Sequence, residues 1–249
     1  MKIIIVPDVH GRTFWRKTIE LIDDVDKVIF LGDYLDPYPD IDGIFPHEAL
    51  LEFKNVLEFK KSHPDKVILL LGNHDVGYFP EMLDSYSCRR WEKSKEEISN
   101  LFMDNLDLFQ LIHIEEDYLF SHAGVQQGWL DFIKDDKFLE NWEINNKEFF
   151  KTLNLENLNK LLLLYEDRIK VLWQPSRERG GKFNYGSCIW ADIHEHLSYF
   201  RDPLPNYYQI FAHSLYYPEL DEYYKDDNIA MLDCAQLFIL ENKCLEMIN

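Results

Sequence analysis

The sequence predicts an α/β protein whose sheet delivers polar side chains to its carboxyl edge, on two observations. Short, uninterrupted apolar runs recur along the chain, and each gives way to a turn built from Asp, His, Asn and Gly. The runs are IIIV at 3–6, VIFL at 28–31, VILLL at 67–71 and YLF at 118–120. β-Branched or bulky and too short for helices, they suit strands buried on both faces. In open α/β sheets ligands bind outside the carboxyl ends of the strands, so the turns that follow these runs are the place to look for chemistry.

The turns read, in order, Asp8-Val9-His10-Gly11, Gly32-Asp33-Tyr34-Leu35-Asp36, Gly72-Asn73-His74-Asp75 and Ser121-His122-Ala123-Gly124. Asp-x-His alone is common and Gly-Asp-x-x-Asp only moderately rare. A fully specified Gly-Asn-His-Asp arises by chance roughly once per 10⁵ positions. Found after an apolar run and in order with the other three, it argues for a designed site. Carboxylate, imidazole and amide oxygen are ligands that suit Mn, Fe, Zn or Ni, whereas structural zinc favours thiolates. A carboxylate shared by two such ions holds them close enough to activate a water and grip an in-line displacement at phosphorus. Asp33 is the candidate bridge. After the fourth turn, Ala212-His213-Ser214 closes the apolar stretch Tyr207-Tyr208-Gln209-Ile210-Phe211, and Asn228–Ala235 and Gln236–Leu240 read as two closing strands with a turn at Asn242-Lys243.

These motifs resemble those of the calcineurin-like metallophosphoesterases, and within them the branch of the Ser/Thr protein phosphatases and bacterial diadenosine tetraphosphatases. The resemblance runs from residue 8 to residue 213. It implies a two-sheet β-sandwich flanked by helices, a four-layer α/β/β/α arrangement. It also implies two divalent metal ions, with Mn²⁺ the leading expectation. Asp8, His10 and Asp33 would hold the first ion, and Asp33, Asn73, His122 and His213 the second. His74 would be a catalytic acid oriented by Asp36, not a ligand. The implied reaction is hydrolysis of a phosphomonoester by attack of a metal-bridging hydroxide; a phosphodiesterase or dinucleotide polyphosphate hydrolase is the alternative, and a scaffold without activity is disfavoured by the intact motifs. Substrates would be phosphorylated small molecules, nucleotides or phosphoproteins.

The chain departs from the family pattern twice. Protein phosphatases follow Gly-Asp-x-x-Asp with an Arg that grips phosphate, but Pro37 stands there. A second family Arg falls between the fourth and fifth motifs, where this chain has Arg177 and Arg179 beside Gly180 and Gly181. Arg179 is the preferred clamp and Arg177 the second candidate, because a guanidinium fork matches phosphate. Many phosphodiesterases of the wider family place another His two residues after His213; Leu215 there favours the phosphatase branch.

The remaining histidines read plainly. His113 faces one side of a strand, His47 begins a helix and His63 lies in a charged helix end. His194 and His196 fall in a helix where i and i+2 point apart, so they read as an ordinary surface pair. The aromatics Tyr185, Trp190, Tyr216, Tyr217, Tyr223 and Tyr224 are expected to pack, with some lining a cleft.

Motifs spread over 249 residues argue for one catalytic domain, 1–249, with a helical insertion around 125–188. No run approaches the roughly twenty apolar residues of a membrane helix, and scattered cysteines at 88, 188, 234 and 244 fit reduced thiols in a cytoplasm. A net charge of -19 without basic clusters disfavours long nucleic acid as a partner.

Overall fold

The four apolar runs all form strands in the structure, a computed structural model that describes residues 1–84, 92–198, 204–214 and 223–248. In the first sheet, β1 (Lys2–Val6), β2 (Lys27–Phe30), β3 (Val67–Leu70) and β4 (Phe109–Gln110) run parallel to one another. The second sheet is built from β5 (Ile112–Glu115), β6 (Tyr118–Ser121), β7 (Tyr208–Phe211), β8 (Tyr224–Lys225) and β9 (Ile229–Met231). Its order is β5-β6-β7-β9-β8, with β6, β7 and β9 parallel.

Strand alternation explains why these runs are apolar throughout. Ile3 and Ile5 of β1, Ile29 of β2 and Ile68 and Leu70 of β3 point into a core shared with Phe120, Ile210 and Ala230 of the second sheet. Their neighbours Ile4, Val6, Val28, Phe30, Val67 and Leu69 point the other way, into a core with Trp15, Phe53 and Val56. Phe53 and Val56 belong to the helix Pro46–Ser62, which covers the outer face of the first sheet. The helix Ile193–Leu197 covers the second sheet, where Ile193 packs with Phe211, Ile229 and Met231. The two-sheet sandwich with helices on its outer faces is therefore the observed fold.

The closing segment differs from the expectation in one respect. Its two strands do not stay together. β9 joins the second sheet, while β10 (Leu237–Glu241) crosses to the first and pairs antiparallel with β1. The hairpin partner of β10 is β11 (Cys244–Ile248), through a turn in which Asn242 and Lys243 both have positive φ, 51° and 63°. That conformation matches the twist of a two-residue hairpin.

Residues 125–188 form short helices, among them Gln127–Phe132, Asp136–Asn141, Lys147–Lys151 and Asp167–Leu172. Arg168 ties this segment to the turn after β3. Its Nε donates to Glu81 Oε1 at 2.7 Å and its Nη2 to Glu81 Oε2 at 3.0 Å, and its guanidinium lies 4.6 Å from the centre of the Phe79 ring. Arg168 is buried and Glu81 largely so, and removing one strands the other's charge. Arg168→Ala is expected to cost about 3–5 kcal/mol, read as a lowered urea midpoint; an unchanged midpoint would show that the pair carries no stability.

Cys188 and Cys234 are buried and Cys244 is exposed; Cys88 lies outside the described residues. No described helix is long and apolar enough to cross a membrane.

Candidate metal centre

The carboxyl ends of the parallel strands meet at one edge of the sandwich. The first sheet supplies Asp8 and His10 after β1, Asp33 and Asp36 after β2, and Asn73 and His74 after β3. The second supplies His122 after β6, His213 after β7 and Asp233 after β9. A cleft of about 760 Å³ opens there, lined by Asp8, His10, Asp33, Asn73, His74, His213 and Asp233 among others.

The backbone is bent to aim these groups. His10, Asp33, Asp36 and His213 have φ of 44°, 51°, 60° and 69°, a left-handed conformation that costs a non-glycine residue free energy and clusters at functional sites. Asp75 holds the bends in place from full burial. Its Oδ2 accepts the N–H groups of Gly72 and Asp33, both at 2.8 Å, and its Oδ1 accepts that of Tyr34 at 3.0 Å. One carboxylate thus ties the β2 turn to the β3 turn. Gly72 makes the approach possible, because a Cβ there would stand 2.1 Å from Asp33 Oδ1.

Hydrogen bonding fixes which imidazole nitrogens face the cleft. A backbone carbonyl only accepts, so His10 Nδ1–H donates to Leu35 O at 2.7 Å and His122 Nδ1–H to Leu31 O at 2.9 Å. In the neutral ring each Nε2 then presents a lone pair. Asp33 Oδ1 is anchored by the His74 N–H at 2.9 Å, and its Oδ2 lies 3.8 Å from His10 Nε2 and 3.5 Å from His122 Nε2. Asn73 Oδ1 is 3.0 Å and His213 Nδ1 3.1 Å from that same His122 Nε2. His10, Asp33 and His74 form one group of ligand atoms close enough to hold an ion; Asp33, His122 and His213 form a second.

The donor set fits cations. Electron-pair donors face one another across the cleft, and Asp8 Oδ1 and His213 Nε2 are buried with no hydrogen-bond partner among the described residues. Burial, reinforced by the neighbouring Asp233 and Asp33, pushes the Asp8 carboxyl well above its usual range. The Asp33 carboxyl is raised by burial and then by Asp75. Burial pushes His122 down to about 3 and lowers His213 well below an ordinary imidazole, so both rings stay neutral and available as ligands. A cluster of carboxylates that resists ionisation and imidazoles that resist protonation is matched by positive charge placed between them.

His74 differs from the other histidines. Its Nδ1 faces Asp36 Oδ2 at 2.9 Å, and the Tyr78 hydroxyl donates to the other oxygen of Asp36. Where His10 and His122 lean on carbonyls, His74 leans on a fully buried carboxylate, the partner that suits an imidazole which carries and delivers a proton. Its distance to His10 and Asp33 alone would equally admit it as a ligand.

Around this centre the cleft is lined by Arg12, Tyr38, Arg179, Trp190 and His194. Arg179 Nη2 donates to His213 O at 3.0 Å and Ser214 Oγ at 2.6 Å, and its Nε pairs with Asp192 Oδ2 at 2.7 Å. Arg177 is exposed at the start of the same short turn and is not among the residues that line the cleft. Trp190 stands edge-on to His213, with ring centres 5.7 Å apart, whereas Tyr185 packs over Gly128 and Tyr223 against Phe238. Leu215, Tyr216 and Tyr217 lie outside the described residues.

The expectation of a surface pair at His194 and His196 is corrected. His196 is buried against Phe211, its Nε2 3.2 Å from Ala123 O, because the outer face of the second sheet needs a cover and the short helix supplies its ring. His194 alone is exposed, at the cleft with Nδ1 2.6 Å from Asp192.

Three residues escaped sequence reasoning. Asp233 follows an apolar stretch, Ile229–Leu232, as the other turns do, and that repeated pattern was the signal. Arg12 lies beside the first motif. Tyr78 gave no signal, since only the fold brings it to Asp36.

A family model described as calcineurin-like phosphoesterase matches residues 1–217. A symmetrical bis(5'-nucleosyl)-tetraphosphatase of Nitrosospira multiformis is 28% identical over 143 residues. That alignment covers 52% of this chain and 46% of the relative, so the chain spans about half the length of the curated protein it matches. Two solved structures superpose over the whole chain: a protein serine/threonine phosphatase from Saccharomyces cerevisiae, at 14% identity, TM-score 0.52 and 79% of its length, and a cold-active protein tyrosine phosphatase, at 15%, 0.50 and 78%. At these identities the likeness is one of fold.

Proposed function

Because the chain belongs to the calcineurin-like phosphoesterase family, we propose that it is a metal-dependent phosphoester hydrolase acting on a phosphomonoester, with residues 1–249 as one catalytic unit and 125–188 as a helical insertion. The observation that carries this reading is Asp33 Oδ2, lying between the Nε2 atoms of His10 and His122 at the floor of the cleft. On this reading Asp8, His10 and Asp33 hold one divalent ion and Asp33, Asn73, His122 and His213 the other, with Asp33 shared. Bound there, two such ions supply Lewis acidity at phosphorus and activate water. Mn²⁺ is the proposed metal, since mixed carboxylate, amide and imidazole ligands suit it.

The chain's own residues do the rest. Arg179 meets the phosphate through its Nη1, with Nη2 held by His213 O and Ser214 Oγ and Nε beside Asp192, so little freedom is lost when the anion binds. His74 delivers a proton to the leaving oxygen, and Asp36, fixed in turn by Tyr78, keeps its ring aimed. The Leu35 and Leu31 carbonyls hold His10 and His122 in the tautomer a ligand needs.

The test is a panel of a phosphomonoester, a phosphodiester and a dinucleotide tetraphosphate assayed with Mn²⁺. A higher kcat/KM for the monoester supports the reading; activity confined to either other substrate overturns it. Dinucleotide polyphosphate hydrolysis is the second reading, favoured by the name of the Nitrosospira relative and by Pro37. Arg179→Ala is expected to lower kcat/KM about 10- to 100-fold and to weaken inhibition by inorganic phosphate, the worth of one charge-assisted contact. Unchanged kinetics would move the grip elsewhere.

A further inference from the structure

Pro37 removes the guanidinium that the resemblance places after Asp36, and the fold brings one to the cleft from a different turn. Arg12 follows β1 and lines the cleft with its side chain 23% exposed. Its Nε donates to Asp42 Oδ1 at 2.9 Å, and its Nη1 reaches Asp8 O at 3.5 Å. The other oxygen of Asp42 accepts the backbone N–H of Tyr38 at 2.6 Å, which fixes that carboxylate to the loop containing Pro37. Arg179 is held differently: its Nη2 donates to His213 O and Ser214 Oγ while Asp192 Oδ2 lies 2.7 Å from its Nε, which leaves its Nη1 without a hydrogen bond among the described residues. On Arg12 it is Nη2 that is left for an anion, since it donates no hydrogen bond among the described residues.

The two guanidiniums line one cleft from different parts of the fold, Arg12 from the β1 turn and Arg179 from the segment between β6 and β7. Burial lifts the Asp233 carboxyl to about 6, and Arg12 and Arg179 both draw it back.

We infer that Arg12 is a specificity-determining residue that grips the substrate phosphate opposite Arg179, replacing from the β1 turn the guanidinium excluded by Pro37. This rests on the phosphoesterase reading above and deepens it toward a substrate class. Two anchored guanidinium charges match the two charges of a terminal phosphoryl group, whereas a diester phosphate carries one charge and fewer open oxygens. Loss of Arg12 therefore falls harder on monoesters than on diesters.

The test uses the full chain loaded with Mn²⁺, with inorganic phosphate as the probe, titrated calorimetrically alongside a metal assay. Arg12→Ala is expected to weaken phosphate binding about 10-fold or more, with metal content as in the parent protein, and to lower the monoester-to-diester ratio of kcat/KM. Phosphate affinity equal to the parent's, or a loss explained by missing metal, overturns the inference. Arg12→Lys keeps charge and stem without the fork and decides the matter if Arg12→Ala does not fold: weaker phosphate binding at full metal content supports the grip, and parental binding overturns it. A parent protein that neither binds phosphate nor cleaves any phosphoester would instead sink the function on which the inference stands.

Discussion

Asp33→Asn is expected to release both metal ions and to lower turnover on the order of 10³-fold, the upper range for losing one strong electrostatic group. The substitution keeps the size of the side chain. Its Oδ1 still accepts the His74 N–H, so the β2 and β3 turns stay joined, as they are through Asp75. Only Oδ2 changes, from an anion facing two imidazole lone pairs to an N–H₂ that donates toward them. The variant should therefore fold and melt no lower than the metal-free parent, because a carboxyl crowded by Asp8, Asp75, Asp36 and Asp233 has been replaced by a neutral amide. Metal content and thermal midpoint measured together check this. A variant that keeps two ions at full occupancy contradicts the shared ligand, and loss of a single ion assigns Asp33 to one position only.

His74→Asn should behave in the opposite way, keeping both ions while turnover falls roughly 10²- to 10⁴-fold. Asparagine can still donate to Asp36, so the dyad's place is filled and only the titrating group is gone. A general acid matters most when the leaving oxygen is basic. The loss should therefore be large for an alkyl phosphate and small for an aryl phosphate with an acidic phenol. Metal content equal to the parent's with that leaving-group dependence supports the acid role. Release of metal with a uniform loss across leaving groups would make His74 a ligand, which its nearness to His10 and Asp33 allows.

The two experiments address the same few ångströms from different directions, and the sequence was unevenly informative about them. The apolar runs at 3–6, 28–31, 67–71 and 118–120 were legible as strands because residues pointing to both faces of a sandwiched sheet must be apolar, which leaves no ambiguity of face. Asp33, Asn73, His122 and His213 were legible as a set because each follows such a run after a single small residue. The last strands were less so: nothing in Ile229–Glu241 says that β9 and β10 belong to different sheets. Asp233 was passed over as a residue of closing strands, though β9 runs parallel to β7 and so points its end at the same cleft. His196 looked exposed because helical spacing tells which way two side chains diverge, not what lies beneath either of them.

By itself the amino-acid order determined the strands, the polar turns and the chemistry those turns can support, since period, side-chain type and local turn residues are short-range properties. Tertiary structure alone decided which arginines reach the cleft, which imidazole nitrogens face it and that Asp33 lies between two histidines. Arg12 and Arg179 are 167 positions apart, and Arg177, two residues from Arg179, is turned to solvent. Long-range placement of that kind is set by how two sheets stack and where their parallel strands end, a consequence of burying both apolar faces at once and not of any local pattern.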